Sequence, residues 1–287
     1  MENTKIAVIG GDRRMLFCAK AFLSDGYDVS VTGFDNLCEN IAVKKLPLEK
    51  NIILCDKVVL PLPCIKGEKI FAPYSENDIK CTEYLSALLN EKTVYTSMKE
   101  KLLENFPALK EENVFDYSSR EDFAIQNAVP TAEGALSIAI DNFEGTIFRS
   151  RCLVCGFGKI GKVLSKRLYD MGADVTVSAR KQSDLSYIET QEYNAVNTYE
   201  IKRELPFDII FNTVPALVFD AKTLKMIARN ALVIDLASLP GGVDFEAASL
   251  YDIKAIQALS LPGKYAPKFA GEVIKNTIIN MFKEETG

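Results

Sequence analysis

Short apolar runs alternate with amphipathic stretches along most of this chain. In the first half, residues 6–9, 28–34 and 56–62 have the pattern of buried strands, and a helical pattern follows the first of them to about Ser24. Residues 82–90 and 98–105 are again helical in pattern, and residues 93–97 and 114–117 are extended. Strands that alternate with short helices predict a parallel sheet covered by helices on both faces.

The second half repeats this alternation after a connecting helix. Pro130 interrupts the chain, Thr131 is suited to cap a helix, and apolar residues keep helical spacing to about Asn142. Strand patterns follow at residues 151–155, 174–180, 209–212 and 232–236, and residues 270–283 predict an amphipathic helix. We expect an α/β protein with two Rossmann-like, doubly wound parallel-sheet lobes joined by a helix. The C-terminal helix should pack back on the first lobe.

A glycine-rich turn follows the first strand of the second half. The sequence there is Gly156-Phe157-Gly158-Lys159-Ile160-Gly161, and a helical pattern begins directly after it. In this strand–turn–helix setting, G-x-G-x-x-G predicts a dinucleotide site whose pyrophosphate lies on the free amides of the helix start. The three glycines would make the turn, admit the pyrophosphate and allow close helix–sheet packing. We therefore expect all six residues to contact the cofactor.

The end of the next strand indicates which dinucleotide fits. An acid about 20 residues past the glycines binds the ribose 2′-hydroxyl of NAD, whereas an Arg there suits the 2′-phosphate of NADP. Here the strand ends in Ser178, Ala179, Arg180 and Lys181, and the nearby Asp174 stands at its other end. An Arg fork can hold a phosphate by two hydrogen bonds, and Ser178 could add a third. The sequence therefore predicts NADP(H) bound through Ser178, Arg180 and Lys181.

Domain boundaries follow from these patterns. Residues 1–129 should form a Rossmann-like domain on the substrate side and 130–148 the connecting helix. Residues 149–268 should form the NADP-binding Rossmann domain and 269–287 the C-terminal helix. A chain of 287 residues is long enough for two such domains.

Composition excludes several classes of protein. The net charge of −5 does not suggest a nucleic-acid-binding surface, and no apolar run has the length of a membrane span. Seven cysteines are irregularly spaced and no signal-peptide pattern precedes the first strand, so we expect a reduced, cytoplasmic protein without a metal site. Cys152 and Cys155 lie three apart on a strand, should point to opposite faces, and are interpreted as small buried hydrophobes.

The chain contains no histidine. This excludes Ser-His-Asp triads, His-containing zinc sites and the His acid–base group of many hydride-transfer enzymes. Any proton must move through Asp, Glu, Lys, Tyr, Ser, water or the substrate.

Four segments follow strands or precede the last helix and are candidates for the remaining site, because ligands bind at the carboxyl ends of parallel strands. The candidate substrate-binding residues are Asp12, Arg13, Arg14, Ser238, Gly241, Gly242 and Lys268. The candidate catalytic residues are Asp235, Lys264 and Tyr265, and Thr213, Val214 and Pro215 could line the nicotinamide. Each segment could instead be an ordinary turn, with Asp235 as a helix cap and the lysines as solvated charges.

Five segments together resemble the dipicolinate synthase A-subunit family of spore-forming bacteria. They are residues 6–12 (Ile-Ala-Val-Ile-Gly-Gly-Asp), 130–135 (Pro-Thr-Ala-Glu-Gly-Ala), 154–161 (Val-Cys-Gly-Phe-Gly-Lys-Ile-Gly), 235–242 (Asp-Leu-Ala-Ser-Leu-Pro-Gly-Gly) and 261–267 (Leu-Pro-Gly-Lys-Tyr-Ala-Pro). The glycine loop alone is common to many families, whereas the last three segments in combination are much more specific. The second lobe is also similar to the NAD(P)-binding domains of D-2-hydroxyacid dehydrogenases and adenosylhomocysteine hydrolases. The lack of histidine separates it from the hydroxyacid enzymes.

The resemblance implies NADP-dependent oxidation of dihydrodipicolinate, or of its hydrated precursor 4-hydroxy-tetrahydrodipicolinate, to dipicolinate. It also implies sporulation in the mother-cell cytoplasm and a partner, the B-subunit of dipicolinate synthase, while self-association stays open. The oxidation makes an aromatic ring, so a strong general base is not required. Two carboxylates on the ring would suit cationic clamps from Arg13 or Arg14 and from Lys264 or Lys268.

Two other functions fit the same residues. One is an NADP-dependent dehydrogenase for another small carboxylate. The other is a non-catalytic dinucleotide-binding protein whose partner performs the chemistry, which the missing histidine favours.

Overall fold

The computed structural model describes residues 4–37 and 42–285, and the chain divides into two compact units. The first comprises Met1–Asn127 with Ala266–Gly287, and the second comprises Ala128–Tyr265. Cys38, one of the seven cysteines, lies outside the described residues. Within them, no helix is both long and apolar enough to span a membrane.

The first unit is built on a parallel sheet. Its strands are β1 (Lys5–Ile9), β2 (Asp28–Thr32), β3 (Lys44–Lys45), β4 (Lys57–Val59), β5 (Ile65–Lys66), β6 (Lys69–Ile70), β7 (Ile79–Lys80), β8 (Thr93–Thr96) and β9 (Val114–Asp116). The helices are α1 (Arg13–Ser24), α2 (Leu48–Leu54), α3 (Glu83–Asn90) and α4 (Lys99–Asn105). The main sheet has the order β3-β2-β1-β4-β8-β9, and β5, β6 and β7 form a small antiparallel sheet.

Helix α5 (Glu121–Asn142) leads into the second unit, which has the same architecture. Its strands are β10 (Arg151–Cys155), β11 (Asp174–Ala179), β12 (Asn194–Asn197), β13 (Ile209–Asn212), β14 (Leu232–Asp235) and β15 (Lys254–Gln257). The helices are α6 (Lys159–Asp170), α7 (Gln182–Thr190), α8 (Ala221–Leu224), α9 (Phe245–Leu250) and α10 (Leu261–Tyr265), and α11 (Pro267–Glu285) returns to the first unit. The sheet order is β12-β11-β10-β13-β14-β15, and all of its pairings are parallel.

Both sheets carry apolar side chains on both faces, as parallel sheets require. In β10, Cys152 and Val154 join the hydrophobic core on one face, and Leu153 and Cys155 join the core on the other. When the strands of each sheet are numbered in chain order from one to six, both sheets have the order 3-2-1-4-5-6 of a Rossmann fold. The predicted fold class of two doubly wound lobes is confirmed.

Helix α11 packs along α1 within the first unit. A Cβ on Gly271 would lie 2.4 Å from the backbone oxygen of Arg14, so glycine at this position lets the two helix backbones approach closely. Phe282 stacks on Phe22 with ring centroids 6.3 Å apart, and Lys275 forms an ion pair with Asp25 at 2.6 Å. The predicted return of the last helix to the first lobe is confirmed.

The connecting helix begins well before the position that its sequence pattern predicts. It starts at Glu121, so Pro130 lies inside it and Thr131 is a buried mid-helix residue rather than a cap. Proline in a helix interior forfeits one backbone hydrogen bond. Here Phe123 and Ala128, both before the proline, are buried and favour continuation of the helix. Residues 261–265, which precede the predicted last helix, form a short helix of their own, α10.

Candidate cofactor and substrate site

The three glycines after β10 have distinct surroundings. Gly156 has φ of +100°, a conformation in which a side chain is strained. A Cβ on Gly161 would lie 2.0 Å from the backbone oxygen of Gly156, so α6 packs directly against the turn. A Cβ on Gly158, the residue before Lys159 at the start of α6, would meet no described heavy atom within 4 Å outside its two chain neighbours. The turn therefore leaves its backbone open at Gly158, beside the free amides of the helix start.

A cavity of about 470 Å³ opens beside this turn at the carboxyl end of the second sheet. Its volume is within the range of small-molecule sites, and its position is the one expected for a ligand of an open parallel sheet. The lining residues are Gly156, Phe157, Gly158, Ala179, Arg180, Lys181, Asp184, Thr198, Thr213, Val214 and Pro215. The cavity thus brings together the glycine turn, the strand end at Arg180 and the segment after β13.

Ser178, which was predicted to bind the cofactor, does not line this cavity. Ser178 is fully buried, and its hydroxyl lies 3.4 Å from the sulfur of Cys155 and 3.3 Å from the hydroxyl of Thr198. Strand alternation explains this placement, because Ser178 points into the unit one residue before the strand ends. Two residues that the sequence did not single out, Thr198 after β12 and Asp184 in the first turn of α7, line the cavity instead. Thr198 donates its hydroxyl to Ser178, which in turn donates to Cys155, so the placement of Ser178 does not support the predicted third hydrogen bond to a phosphate.

Asp235 lies at the end of β14 and is completely buried. Its carboxylate accepts hydrogen bonds from Asn212 Nδ2 at 2.7 Å, from the amide of Ala237 at 3.2 Å and from the amide of Gly242 at 2.9 Å. These bonds hold the loop after β14 against the end of β13. The geometry supports a positioning role for Asp235 rather than the acid–base role raised by the sequence.

Asn212 transmits this anchoring to the cavity wall. Its Nδ2 also donates to the carbonyl of Val214 at 3.0 Å, and its Oδ1 accepts from the amide of Val214 at 3.2 Å. The neighbouring Thr213 donates its hydroxyl to the carbonyl of Cys155 at 2.9 Å. Asn212 and Asp235 are register partners on adjacent strands, a pairing that only the sheet order reveals. The predicted segment 213–215 is therefore held in place from both sides.

The loop after β14 was predicted to contact substrate through Ser238, Gly241 and Gly242. Ser238 is exposed, whereas both glycines are buried. A Cβ on Gly241 would lie 2.7 Å from Asp235 Oδ2, and a Cβ on Gly242 would lie 2.3 Å from Asn212 Nδ2. The two glycines accordingly allow the loop to pack closely on the Asp235–Asn212 pair.

The two cysteines of the C-x-x-C sequence are buried on opposite faces of the sheet. Burial raises the pKa of the Cys152 thiol to about 11 and that of the Cys155 thiol to about 12. Both therefore stay protonated near neutral pH. The interpretation of these residues as small hydrophobes agrees with their placement.

In the first unit, Asp12 and Arg14 are bound to each other. The Arg14 guanidinium contacts the Asp12 carboxylate through Nε at 2.9 Å and Nη2 at 2.8 Å, and it also donates to the carbonyl of Leu62. Arg14 is only 5% exposed, so it is poorly placed to bind a separate anion. Arg13, one residue earlier, is exposed at the start of α1.

Of the candidates near the last helix, Lys264 and Tyr265 belong to α10 in the second unit, and Lys268 belongs to α11 in the first. Lys264 and Lys268 are exposed, and Tyr265 is half-exposed. The Tyr265 ring lies over α5, where a Cβ on Gly134 would be 2.9 Å from Tyr265 Cδ2. Within the second unit, the structure thereby brings Gly134 together with Leu261 and Tyr265.

The two sheets, with an open glycine turn beside a cavity in the second, define a two-domain Rossmann protein with the features of a dinucleotide-binding dehydrogenase. Its family follows from comparison with known proteins. The chain is 31% identical to the A-subunit of dipicolinate synthase from Bacillus subtilis (strain 168) over 99% of its own length and 97% of that protein's. Residues 5–117 match the family model for the N-terminal domain of the dipicolinate synthase A-subunit. The chain belongs to the dipicolinate synthase A-subunit family.

Solved structures agree with this assignment. The dipicolinate synthase A-subunit from Bacillus halodurans has a TM-score of 0.86 at 30% identity, with 97% of each chain covered. A transhydrogenase from Sinorhizobium meliloti has a TM-score of 0.70 at 13% identity, with 98% of this chain and 94% of that chain covered. The second likeness concerns the fold alone. Family and fold together support a dinucleotide-binding component of an oxidoreductase.

Proposed function

We propose that this chain is the NADP-dependent A-subunit of a dipicolinate synthase, an oxidoreductase that converts dihydrodipicolinate or its hydrated precursor to dipicolinate. The observation that carries the proposal is the family membership across 99% of the chain, combined with the cavity beside the glycine turn. The absence of histidine is compatible with this reaction, because aromatisation of the product ring provides the driving force.

The preference for NADP(H) rests on two cations. Arg180 and Lys181 line the cavity beyond the end of β11, where the 2′-position of the ribose is bound in Rossmann proteins. A guanidinium can hold a phosphate through two parallel hydrogen bonds. Asp184 lines the same cavity and opposes them, so the preference should be a balance of charges rather than absolute.

Binding of NADPH and NADH to the whole chain measures this preference. We expect tighter binding of NADPH, and Arg180→Ala should weaken NADPH by about tenfold while affecting NADH little. Arg203→Ala, at an exposed arginine paired with Glu200, is the matched control and should change neither affinity. Tighter binding of NADH than NADPH by the unmodified chain would contradict the proposal.

The nicotinamide, when bound, supplies the acceptor for the hydride. The dihydropyridine ring loses one hydrogen with its electron pair from carbon and a second hydrogen as a proton to water, which leaves the aromatic ring. The chain's own residues would hold the dihydropyridine ring near the cofactor and exclude competing reactions. Thr213, Val214 and Pro215, anchored by Asn212 and Cys155, form the wall suited to that positioning.

Cations are proposed to hold the two substrate carboxylates. Arg13, Lys264 and Lys268 are exposed and stay candidates. The buried Arg14 instead donates hydrogen bonds to the Asp12 carboxylate and the Leu62 carbonyl. Arg13→Ala and Lys264→Ala should each raise KM for the substrate. If both variants keep the KM and kcat of the unmodified enzyme, these residues are not the clamp.

The reaction is tested by dipicolinate formation, followed as terbium luminescence, in a lysine-pathway assay coupled to the chain and NADP⁺. Assays with and without the B-subunit distinguish a chain that is active alone from one whose partner performs the chemistry. Turnover of a 2-oxo acid with no dipicolinate formed would favour a different small-carboxylate dehydrogenase. We propose a cytoplasmic location in the mother cell during sporulation, by analogy with the family.

A further inference from the structure

A second cavity, of about 670 Å³, lies in the first unit at the carboxyl ends of β2 and β3. Its described lining includes Thr32, Gly33 and Asp35 after β2, and Lys45 to Leu48 after β3. The two sheets share one strand order, so this position corresponds to the ends of β11 and β12 in the second unit. There, Arg180 and Thr198 line the cofactor cavity. The first unit thus has a cavity at the nucleoside half of a Rossmann site.

The phosphate half of that site is closed by the chain itself. The amide of Gly11, in the turn after β1, donates to the carbonyl of Phe71 at 2.6 Å. A Cβ on Gly10 would lie 2.8 Å from the same oxygen, so the Phe71 backbone covers the turn. In the second unit, by contrast, a Cβ placed on Gly158 would have no described heavy atom within 4 Å outside its two chain neighbours. A pyrophosphate therefore has no place on the first turn.

The nucleoside half keeps features that suit a ribose and a base. Asp35 follows β2 and stands 24 positions after Gly11 (35 − 11 = 24), close to the spacing of the acid that binds ribose hydroxyls in NAD proteins. It is exposed to the cavity, and its Oδ2 also accepts from the amide of Glu76 at 3.2 Å. Apolar side chains provide walls for a planar base, namely Leu46, Pro47, Ile79, Leu85 and Leu88.

The charges of this cavity disfavour anions. Its described lining carries four carboxylates, from Asp35, Glu49, Glu76 and Asp78, but only two lysines. Lys45 donates to the carbonyl of Phe34 at 2.8 Å, which draws that cation toward the backbone. A phosphate or a dicarboxylate would meet repulsion here, whereas a neutral ligand would not.

We propose that the first unit binds a phosphate-free purine nucleoside in this cavity, with the ribose hydroxyls on Asp35 and the base among the apolar walls. This is a site separate from the dinucleotide site of the proposed function. It depends on the geometry of the first unit and not on the reaction.

Calorimetric titration of the full chain with adenosine, in the presence of saturating NADPH, tests the proposal. We expect saturable binding of adenosine, with AMP weaker by at least about tenfold because of its phosphate. Asp35→Asn should weaken adenosine by about tenfold, since it removes a charged acceptor but keeps an oxygen for the Glu76 amide. Asp28→Asn, at the other end of the same strand, is the matched control and should bind adenosine normally.

NADPH affinity is measured for all of these proteins. Absence of adenosine binding, AMP binding as tight as adenosine, or an Asp35→Asn variant with unchanged affinity would overturn the nucleoside site. Failure of NADPH to bind would instead overturn the proposed cofactor, and the comparison of Asp35→Asn with Asp28→Asn would still decide the adenosine site.

Discussion

Gly158 and Gly161 lie three positions apart and have opposite reasons to be glycine. At Gly161 a side chain would collide with the turn itself, 2.0 Å from the oxygen of Gly156. At Gly158 a side chain would enter space that the described chain leaves open and that we assign to the cofactor. One glycine therefore serves the fold and the other serves binding.

Substitution separates the two roles. Gly161→Ala should lower the free energy of unfolding by roughly 1–3 kcal/mol through overpacking against backbone. Gly158→Ala, at a residue with φ of −80°, should change stability little but weaken NADPH by roughly 1–3 kcal/mol of binding free energy. Urea unfolding and fluorescence titration check both. A Gly158→Ala protein with normal NADPH affinity would contradict our placement of the cofactor.

Asp235, a candidate catalytic residue in the sequence, has the contacts of a positioning residue in the fold. Because its carboxylate is buried and accepts three hydrogen bonds, Asp235→Asn should cost roughly 1–3 kcal/mol of unfolding free energy. It should also weaken NADPH, since Asn212 would no longer hold Val214 firmly. A general base would behave differently. Unchanged thermal stability with a large loss of kcat would restore the catalytic role.

At the scale of elements, the contact between α1 and α11 shows how a distant segment completes a Rossmann unit. Helix α11 is amphipathic in sequence, but its partner is set by a glycine that admits the backbone of α1 and by aromatic stacking between Phe22 and Phe282. Helix α5 shows the converse. Its sequence pattern predicts a helix boundary at Pro130, but the helix continues through this residue because neighbouring residues are buried. Local breakers are outweighed where tertiary burial is large.

The α1–α11 contact makes a stability prediction. Gly271→Ala would place a methyl group 2.4 Å from the oxygen of Arg14 and 2.7 Å from the amide nitrogen of Cys18. The helices must separate, and we expect a loss of roughly 1–3 kcal/mol despite the better helix propensity of alanine. Asn276→Ala, an exposed position on the same helix, is the control. Denaturant unfolding of both variants measures the difference, and equal stability would mean that the helices pack less closely than described.

At the scale of the whole molecule, two units of one topology have different glycine turns. The turn of the second unit is open beside a cavity, whereas that of the first is covered by the Phe71 backbone. Duplicate folds therefore do not imply duplicate cofactor sites, because function resides in the local groups that a fold presents.

This difference predicts one NADPH per chain. Calorimetry should give a stoichiometry of one, and amide hydrogen exchange in the presence of NADPH should slow at residues 156–160, 180–184 and 213–214. Amide exchange at residues 10–14 should not slow, because the pyrophosphate does not contact them. Two equivalents of NADPH per chain, or protection that begins at residues 10–14 alone, would show that the covered turn opens to bind the cofactor.

The sequence by itself determined the strand–helix alternation, the G-x-G-x-x-G turn and the cation at Arg180, because hydrophobic period and glycine spacing are local properties of a chain. It also pointed to the family through segments that span almost the whole length. Only the tertiary structure decided that Ser178 faces inward while Thr198 and Asp184 line the cavity, that Asp235 anchors Asn212, and that Arg14 belongs to Asp12. These roles depend on which strands are neighbours and on which atoms become buried together. Contacts between residues far apart in sequence set both, so local patterns could not reveal them.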